Sequence, residues 1–188
     1  MIIEGLLTTT DEHGAPHVAP MGPVVNAELT SWQLRPFQTS TTFQLLRANA
    51  NCVFHIVDDV LPVVQAALGF PVETEFELQP TGVWTIPSAC HWYHLRVQQW
   101  NVEQARAEAE AQVIHQSVQR PFWGWNRAKH AVLEATILAT RLHIVSHQSI
   151  RSEMERLEVA VAKTGGPRET TAWQLVQDYI CGRLVSGD

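Results

Sequence analysis

The sequence is poor in several things whose absence narrows its function. Its 188 residues hold three cysteines, Cys52, Cys90 and Cys181, too few and too widely spaced for a disulfide framework or a zinc motif. In apolar settings such as Asn51-Cys52-Val53-Phe54 they read as reduced thiols of a core. No apolar run approaches the roughly 18 residues that a membrane span needs. Met1-Ile2-Ile3-Glu4 has neither a basic leader nor a small-residue cleavage site, so a cytoplasmic protein without membrane contact is expected. Charged residues make up only 17%, the net charge is −6, and Lys and Arg never form a run, which argues against a nucleic-acid surface. A Gly-rich phosphate loop, a G-x-S-x-G elbow and a paired Cys/His motif are all missing, so the familiar signatures of NTPases and hydrolases are absent.

With 45% hydrophobic residues, the chain can bury the core of one generous domain, or of one domain and an appendage. Strand-like stretches fill the first hundred residues: IIEGLLTTT, HVAPMGPVV, LTSWQLRPF, CVFHIV and CHWYHLRVQQW. Pro- and Gly-bearing breaks between them favour antiparallel pairing in a barrel or sandwich. Two short helices are expected among them, STTFQLLRANA with Ser40 or Thr41 as N-cap and DDVLPVVQAALG ending at Gly69. From Asn101 the composition turns to helix formers, and NVEQARAEAEAQVIHQS predicts a helix opened by Asn101 and Gln104 as a variant capping box. Helical spacing continues in Val132, Ala135, Ala139 and Leu142, in Ile150, Met154, Leu157 and Val161, and in Trp173, Val176, Ile180 and Leu184. These patterns divide the chain into a β-rich domain, residues 1–120, and a small helical domain, residues 121–188.

Three clusters carry candidate chemistry, each with a plainer alternative. In TTTDEHGAPHVAPMG, Pro20 and Gly22 would interrupt a ladder and let a flat ligand lie against the backbone, or merely mark a bulge or edge strand. In RPFQTSTTFQLL, Arg35 precedes Thr39, Ser40, Thr41 and Thr42 at a helix start, which suits an anion but also suits a plain N-cap. In RPFWGWNRAKHAVLE, Trp123, Trp125, Asn126 and Arg127 could meet a ring system, a neighbouring subunit or an anion, or dock a helix onto a sheet. The histidines promise less. His91 and His94 point to opposite faces of a strand, and a helix end between His143 and His147 would separate them, so no metal is expected. Asp58-Asp59 reads as a helix N-cap rather than an acid/base pair.

Taken together, TTTDEHGAPHVAPMGPVV, RPFQTSTTFQLL with NCVFHIVDD, and RPFWGWNRAKHAVLEATILATR resemble a domain-of-unknown-function family whose members are similar to flavin reductase-like proteins. The resemblance spans nearly the whole chain. It implies an antiparallel Greek-key FMN-binding split barrel of six strands with a small C-terminal helical domain, assembled as a homodimer with FMN at or near the interface. It further implies that Thr9 and Thr10 end the first strand beside the flavin, and that the backbone of Ala19, Pro20, Met21 and Gly22 lies along the isoalloxazine. Arg35, Ser40, Thr41 and Thr42 would surround the phosphate, and Asn126 and Arg127 would meet flavin, substrate or only the barrel. One position departs from the family: Gln44 stands where such barrels often carry Asn.

The function so implied is FMN binding, with a flavin-dependent oxidoreductase acting on an unidentified small-molecule substrate or electron donor. The alternative is a non-redox binding module for another planar phosphate-bearing ligand or a protein partner. The family alone also suggests a link to tetrahydromethanopterin-dependent one-carbon metabolism.

Overall fold

A computed structural model describes residues 1–185. The chain forms two compact units, and the division is not a single cut: residues 1–57 and 74–122 make one, while residues 58–73 group with the chain from Trp123 onward.

The first unit is built from β1 (Gly5–Thr10), β2 (Pro16–Met21), β3 (Val24–Val25), β4 (Trp32–Leu34), α1 (Thr41–Ala48), β5 (Asn51–Ile56), β6 (Glu77–Leu78), β7 (Trp84–Thr85), β8 (His91–Asn101) and β9 (Glu108–Val118). Seven strands form one antiparallel sheet in the order β2-β1-β5-β8-β9-β4-β3. Its two ends are neighbours in the chain, since Gly22 and Pro23 alone separate β2 from β3. The segment leading into β1 also bridges β3: Val25 N–H donates to Met1 O at 2.8 Å and Ile3 N–H to Pro23 O at 3.3 Å. The sheet thus curls into a half-barrel of seven strands rather than the six expected, with the segment ahead of β1 reaching β3.

Alternation fills the inside. Leu7, Trp32, Leu34, Cys52, Phe54, Tyr93, Leu95, Val97, Ala109 and Ala111 make one core, closed by Leu46 from α1. Trp32 sits at its centre, 5.3 Å from the Phe54 ring and 4.8 Å from Tyr93. Gly5 has to be glycine, because a Cβ there would stand 2.3 Å from His55 O and 2.6 Å from the Phe54 ring. β5 is buried on both faces, its outer residues Val53 and His55 being covered by Val83 and Trp92 and by Ile86.

Segment 101–117 corrects the expectation of a helix. β8 runs through Asn101 and β9 occupies Glu108–Val118. Ala107, Ala109 and Ala111 are buried while Glu108, Glu110 and Gln112 are exposed, a period of two that overrides the helix propensity of Ala and Glu. Asn101 does cap, but it caps a turn: its Oδ1 accepts from Glu103 N at 3.0 Å.

The second unit holds α2 (Leu61–Leu68), α3 (Arg127–Ala139), α4 (His147–Thr164) and α5 (Pro167–Val185). Its core gathers Leu61, Val64 and Leu68, the small face Ala128, Ala131, Ala135 and Ala139, and Ile150, Leu157, Val161, Trp173, Val176 and Ile180. α2 ends at Gly69, whose φ of 78° is the left-handed C-cap that glycine adopts at little cost. The N-cap of α2 is Val60 rather than either aspartate. Asp59 instead accepts from Leu61 N and pairs with Arg168 at 2.9 Å, and Asp58 accepts from Trp123 N at 3.1 Å. α3 stops at Ala139, so His143 and His147 share no helix face. Cys52 and Cys90 are buried as expected, but Cys181 is exposed on α5. No helix of the described residues is long and apolar enough to cross a membrane.

Candidate functional site

Three successive threonines give three different environments, because a strand turns alternate residues to opposite faces. Thr8 faces outward and its Oγ1 donates to Trp84 O at 2.5 Å. Thr9 faces inward beside Leu7, is 3% exposed, and its Oγ1 is buried with no hydrogen-bond partner. Thr10 closes β1 opposite Pro16 and is half-buried. A buried hydroxyl left unsatisfied costs roughly 1–3 kcal/mol, so Thr9 calls for an explanation.

Across the ladder from Thr9 lies His17 of β2. His17 Nε2 is 3.2 Å from the Oγ1 of Thr42, which is itself 5% exposed in the first turn of α1. Burial pushes the His17 imidazole below its usual pKa, with Asp11 pulling weakly the other way. Sequence reasoning missed this residue. The signal was alternation, since His17, Ala19 and Met21 share one face of β2.

Ser40 caps α1: its Oγ accepts from Phe43 N at 3.2 Å and donates to Phe37 O at 2.7 Å. Thr41 and Gln44 are exposed. Arg35 directly follows β4 and is half-buried, and its Nε is buried without a hydrogen-bond partner. The loop from Arg35 to Ser40 is held by main-chain bonds from Ala107 N to Pro36 O and from Gln38 N to Ala105 O. Gln38 Nε2 adds two more, to Val102 O at 2.8 Å and Gln104 O at 2.6 Å. The helix N-terminus therefore meets its neighbours at a fixed place, with hydroxyls, free amides and a cation in one short segment, which is the chemistry of an anion site.

Farther along β2, Pro20 pairs with Leu6 and Met21 with Gly5, and Met21 packs against the barrel core. Every residue of β2 is half-buried, and the strand has a neighbour on one side only. A Cβ on Gly22 would stand 3.0 and 3.1 Å from the oxygens of the exposed Glu4 carboxylate, a contact that a small movement of that side chain relieves.

Asn126 and Arg127 belong to the helical unit. Asn126 is the N-cap of α3: its Oδ1 accepts from Ala128 N and Lys129 N at 2.8 and 3.2 Å, and its Nδ2 donates to Thr164 O at 3.0 Å. Arg127 opens α3 and is exposed, as are the rings of Trp123 and Trp125.

Two further polar places in the barrel unit differ from this corner. His55 is fully buried, with Nδ1 3.2 Å from Leu6 O and Nε2 accepting from Ile86 N at 3.0 Å, and burial pushes its pKa down to about 4. Both nitrogens are used, which makes it a structural residue. A groove of about 640 Å³ runs over outward-facing Gln33, Gln98, Glu110 and Gln112, yet no buried unpaired polar atom of the described residues lines it. The unpaired atoms of Thr9 and Arg35 mark the better candidate. No group of three or more His, Cys, Asp or Glu among the described residues could hold a metal ion.

The curled antiparallel sheet of the first unit is a fold shared with the flavin reductase-like split barrels. The chain belongs to the family described as "Protein of unknown function (DUF447)": residues 3–120 match its N-terminal domain and residues 126–178 its C-terminal part. Among solved structures, it is similar to the FMN-bound protein MM1853 of that family from Methanosarcina mazei. The two are 23% identical, with 95% of this chain and 94% of that chain covered at a TM-score of 0.81. The styrene monooxygenase flavin reductase from Pseudomonas putida S12 matches at 14% identity and a TM-score of 0.52, over 62% of this chain and 81% of that one. An FMN-binding protein from Thermus thermophilus with bound 1-cyclohex-2-enone matches at 13% and 0.53, over 62% and 70%. No curated protein matches the chain.

Proposed function

We propose that the protein binds FMN in the barrel unit and serves in the cytoplasm as a flavin-dependent oxidoreductase. The observation that carries the reading is that two of the five buried, unpaired polar atoms of the described residues, Thr9 Oγ1 and Arg35 Nε, lie on segments that flank or precede a helix start bearing Ser40, Thr41 and Thr42. The FMN-bound relative from Methanosarcina mazei supports the choice of ligand. In this reading the α1 amides, the hydroxyls of Ser40, Thr41 and Thr42 and the Arg35 guanidinium hold the phosphate. Thr9 and Thr10 neighbour the flavin, and the half-buried strand from Ala19 to Gly22 offers it a backbone surface.

When bound, the flavin supplies the electron transfer itself. The chain's residues bind and orient it and limit water around it, so few acid-base groups are needed. The unshared side of β2 leaves room for a second copy of the chain, in keeping with a homodimer. Asn126 is occupied in capping α3, so we do not assign it to the flavin.

An absorbance spectrum from 300 to 550 nm, taken before and after adding FMN and desalting, tests the reading. Retained flavin bands that bleach anaerobically with NADH or NADPH are expected. A protein that stays colourless would move the barrel to the class of non-redox binding modules.

A further inference from the structure

We propose that His17 is the proton-coupled member of the phosphate cradle, taking a proton from solvent as a phosphate dianion enters and returning it when the ligand leaves. The inference rests on the reading of residues 35–42 as a phosphate site and adds to it a residue and a regulation.

The geometry begins with the contact of His17 Nε2 and Thr42 Oγ1 at 3.2 Å, in the first turn of α1. Directly across the ladder, Thr9 is 3% exposed with its Oγ1 unpaired. The helix start thus has beside it a buried hydroxyl with unused hydrogen-bonding capacity and an imidazole able to change charge.

The charges around the ring decide what it does. β1 presents Thr9, and just past its end Asp11, whose negative charge favours the imidazolium, while Arg35 of the proposed phosphate site carries the opposite charge. α1 presents Thr42, and its only cation, Arg47, lies in the last turn over the Trp100 ring at 5.6 Å. In the free protein burial is the larger influence and keeps the imidazole neutral, and in its Nδ1–H tautomer Nε2 accepts from the Thr42 hydroxyl. A phosphate dianion at the helix start adds negative charge beside the ring, and the balance passes to imidazolium. Nε2–H then donates, and the Thr42 hydroxyl is released to donate toward the phosphate. Nothing is oxidised or reduced; one N–H bond forms from a solvent proton and breaks on release.

FMN affinity should therefore fall by up to about tenfold per pH unit as pH rises from the free to the FMN-bound His17 midpoint, and level off above the bound one. Riboflavin, which has no phosphate, should show no such dependence.

The experiment is an NMR titration of the His17 ring in the full chain, alone, with inorganic phosphate and with FMN, its resonance assigned through His17→Gln. Either ligand should raise the ring's titration midpoint by about one unit or more. Calorimetry of FMN binding, in two buffers of different ionisation heat and above the second phosphate pKa of about 6, should show uptake of about half a proton or more. His17→Gln keeps an amide within reach of Thr42, and it should abolish that uptake and flatten the pH profile while riboflavin binding stays unchanged. A midpoint that neither ligand moves, or an uptake that survives in His17→Gln, overturns the inference. FMN that binds while His17 stays unmoved sinks the proton coupling and leaves the flavin site standing. Inorganic phosphate that shifts His17 in a chain to which FMN does not bind upholds the coupling and removes the flavin.

Discussion

His55 and Thr9 sit in the same barrel, at 0% and 3% exposure, and differ in one respect. Each nitrogen of His55 has a main-chain partner, Leu6 O on one side and Ile86 N on the other, so the residue fastens β5 to β1 and to the segment after β7. The hydroxyl of Thr9 has none, and Arg35, which follows β4, keeps a buried Nε unpaired as well. A polar group that folding has satisfied belongs to the architecture. One that folding has left unsatisfied inside a packed barrel is better explained by something the chain is built to receive.

The largest effect should come from the receiving side. Replacing both Thr41 and Thr42 by Ala should weaken FMN by a few kcal/mol, since a hydrogen bond to a charged acceptor contributes about 1.5–3 kcal/mol. A fluorescence titration with unchanged affinity would put the phosphate elsewhere and break the contrast.

On the satisfied side, neutral His55 makes stability depend on pH. Its pKa is about 4 in the folded chain and near 6.5 when unfolded. The unfolded state therefore binds the extra proton first as pH falls. Stability should be full above pH 6.5 and lost progressively toward pH 4, by about 3 kcal/mol in all. Urea unfolding across that window checks it, and His55→Leu should flatten that part of the curve.

The smallest effect gives the sharpest comparison. Thr8→Val removes a donor from Trp84 O and should destabilise the free protein by about 1 kcal/mol, whereas Thr9→Val removes an unpaired hydroxyl and should stabilise it by a similar amount. Thermal unfolding of the two neighbours decides it. Equal losses would show that Thr9 is as well satisfied as Thr8.

Much of this was written in plain periodicity. The strands around Leu7, Phe54 and Leu95 and the caps at Ser40 and Gly69 follow from local pattern, because each buries or bonds the residues that local pattern singles out. The stretch from Ala105 to Ala111 shows where local pattern fails. Its alanines favour a helix, yet Ala111 pairs with Trp32 and Ala109 with Leu34 and Trp100, so the small side chains serve as room for large ones across the ladder. The demand of Trp32 and Leu34 comes from 79 and 75 positions away and cannot be seen in a local window. The same holds for residues 58–73, whose helix was legible while its grouping with the later helices was not. In the candidate site the hydroxyls were legible by type, and His17 was not, because its meaning depends on a hydroxyl 25 residues away.

The two hydrogen bonds that Gln38 Nε2 donates to Val102 O and Gln104 O have a consequence for how this chain can change over generations. Both acceptors are main-chain carbonyls, so the side chains at 102 and 104 are free to drift. The number of residues at the tip between β8 and β9 is not: an insertion there would carry the two carbonyls away from Gln38 and release the loop that leads to Ser40. Across descendants of this sequence the tip should vary in letters and hold its length, and its length would then be a mark of a working helix start some 60 residues earlier.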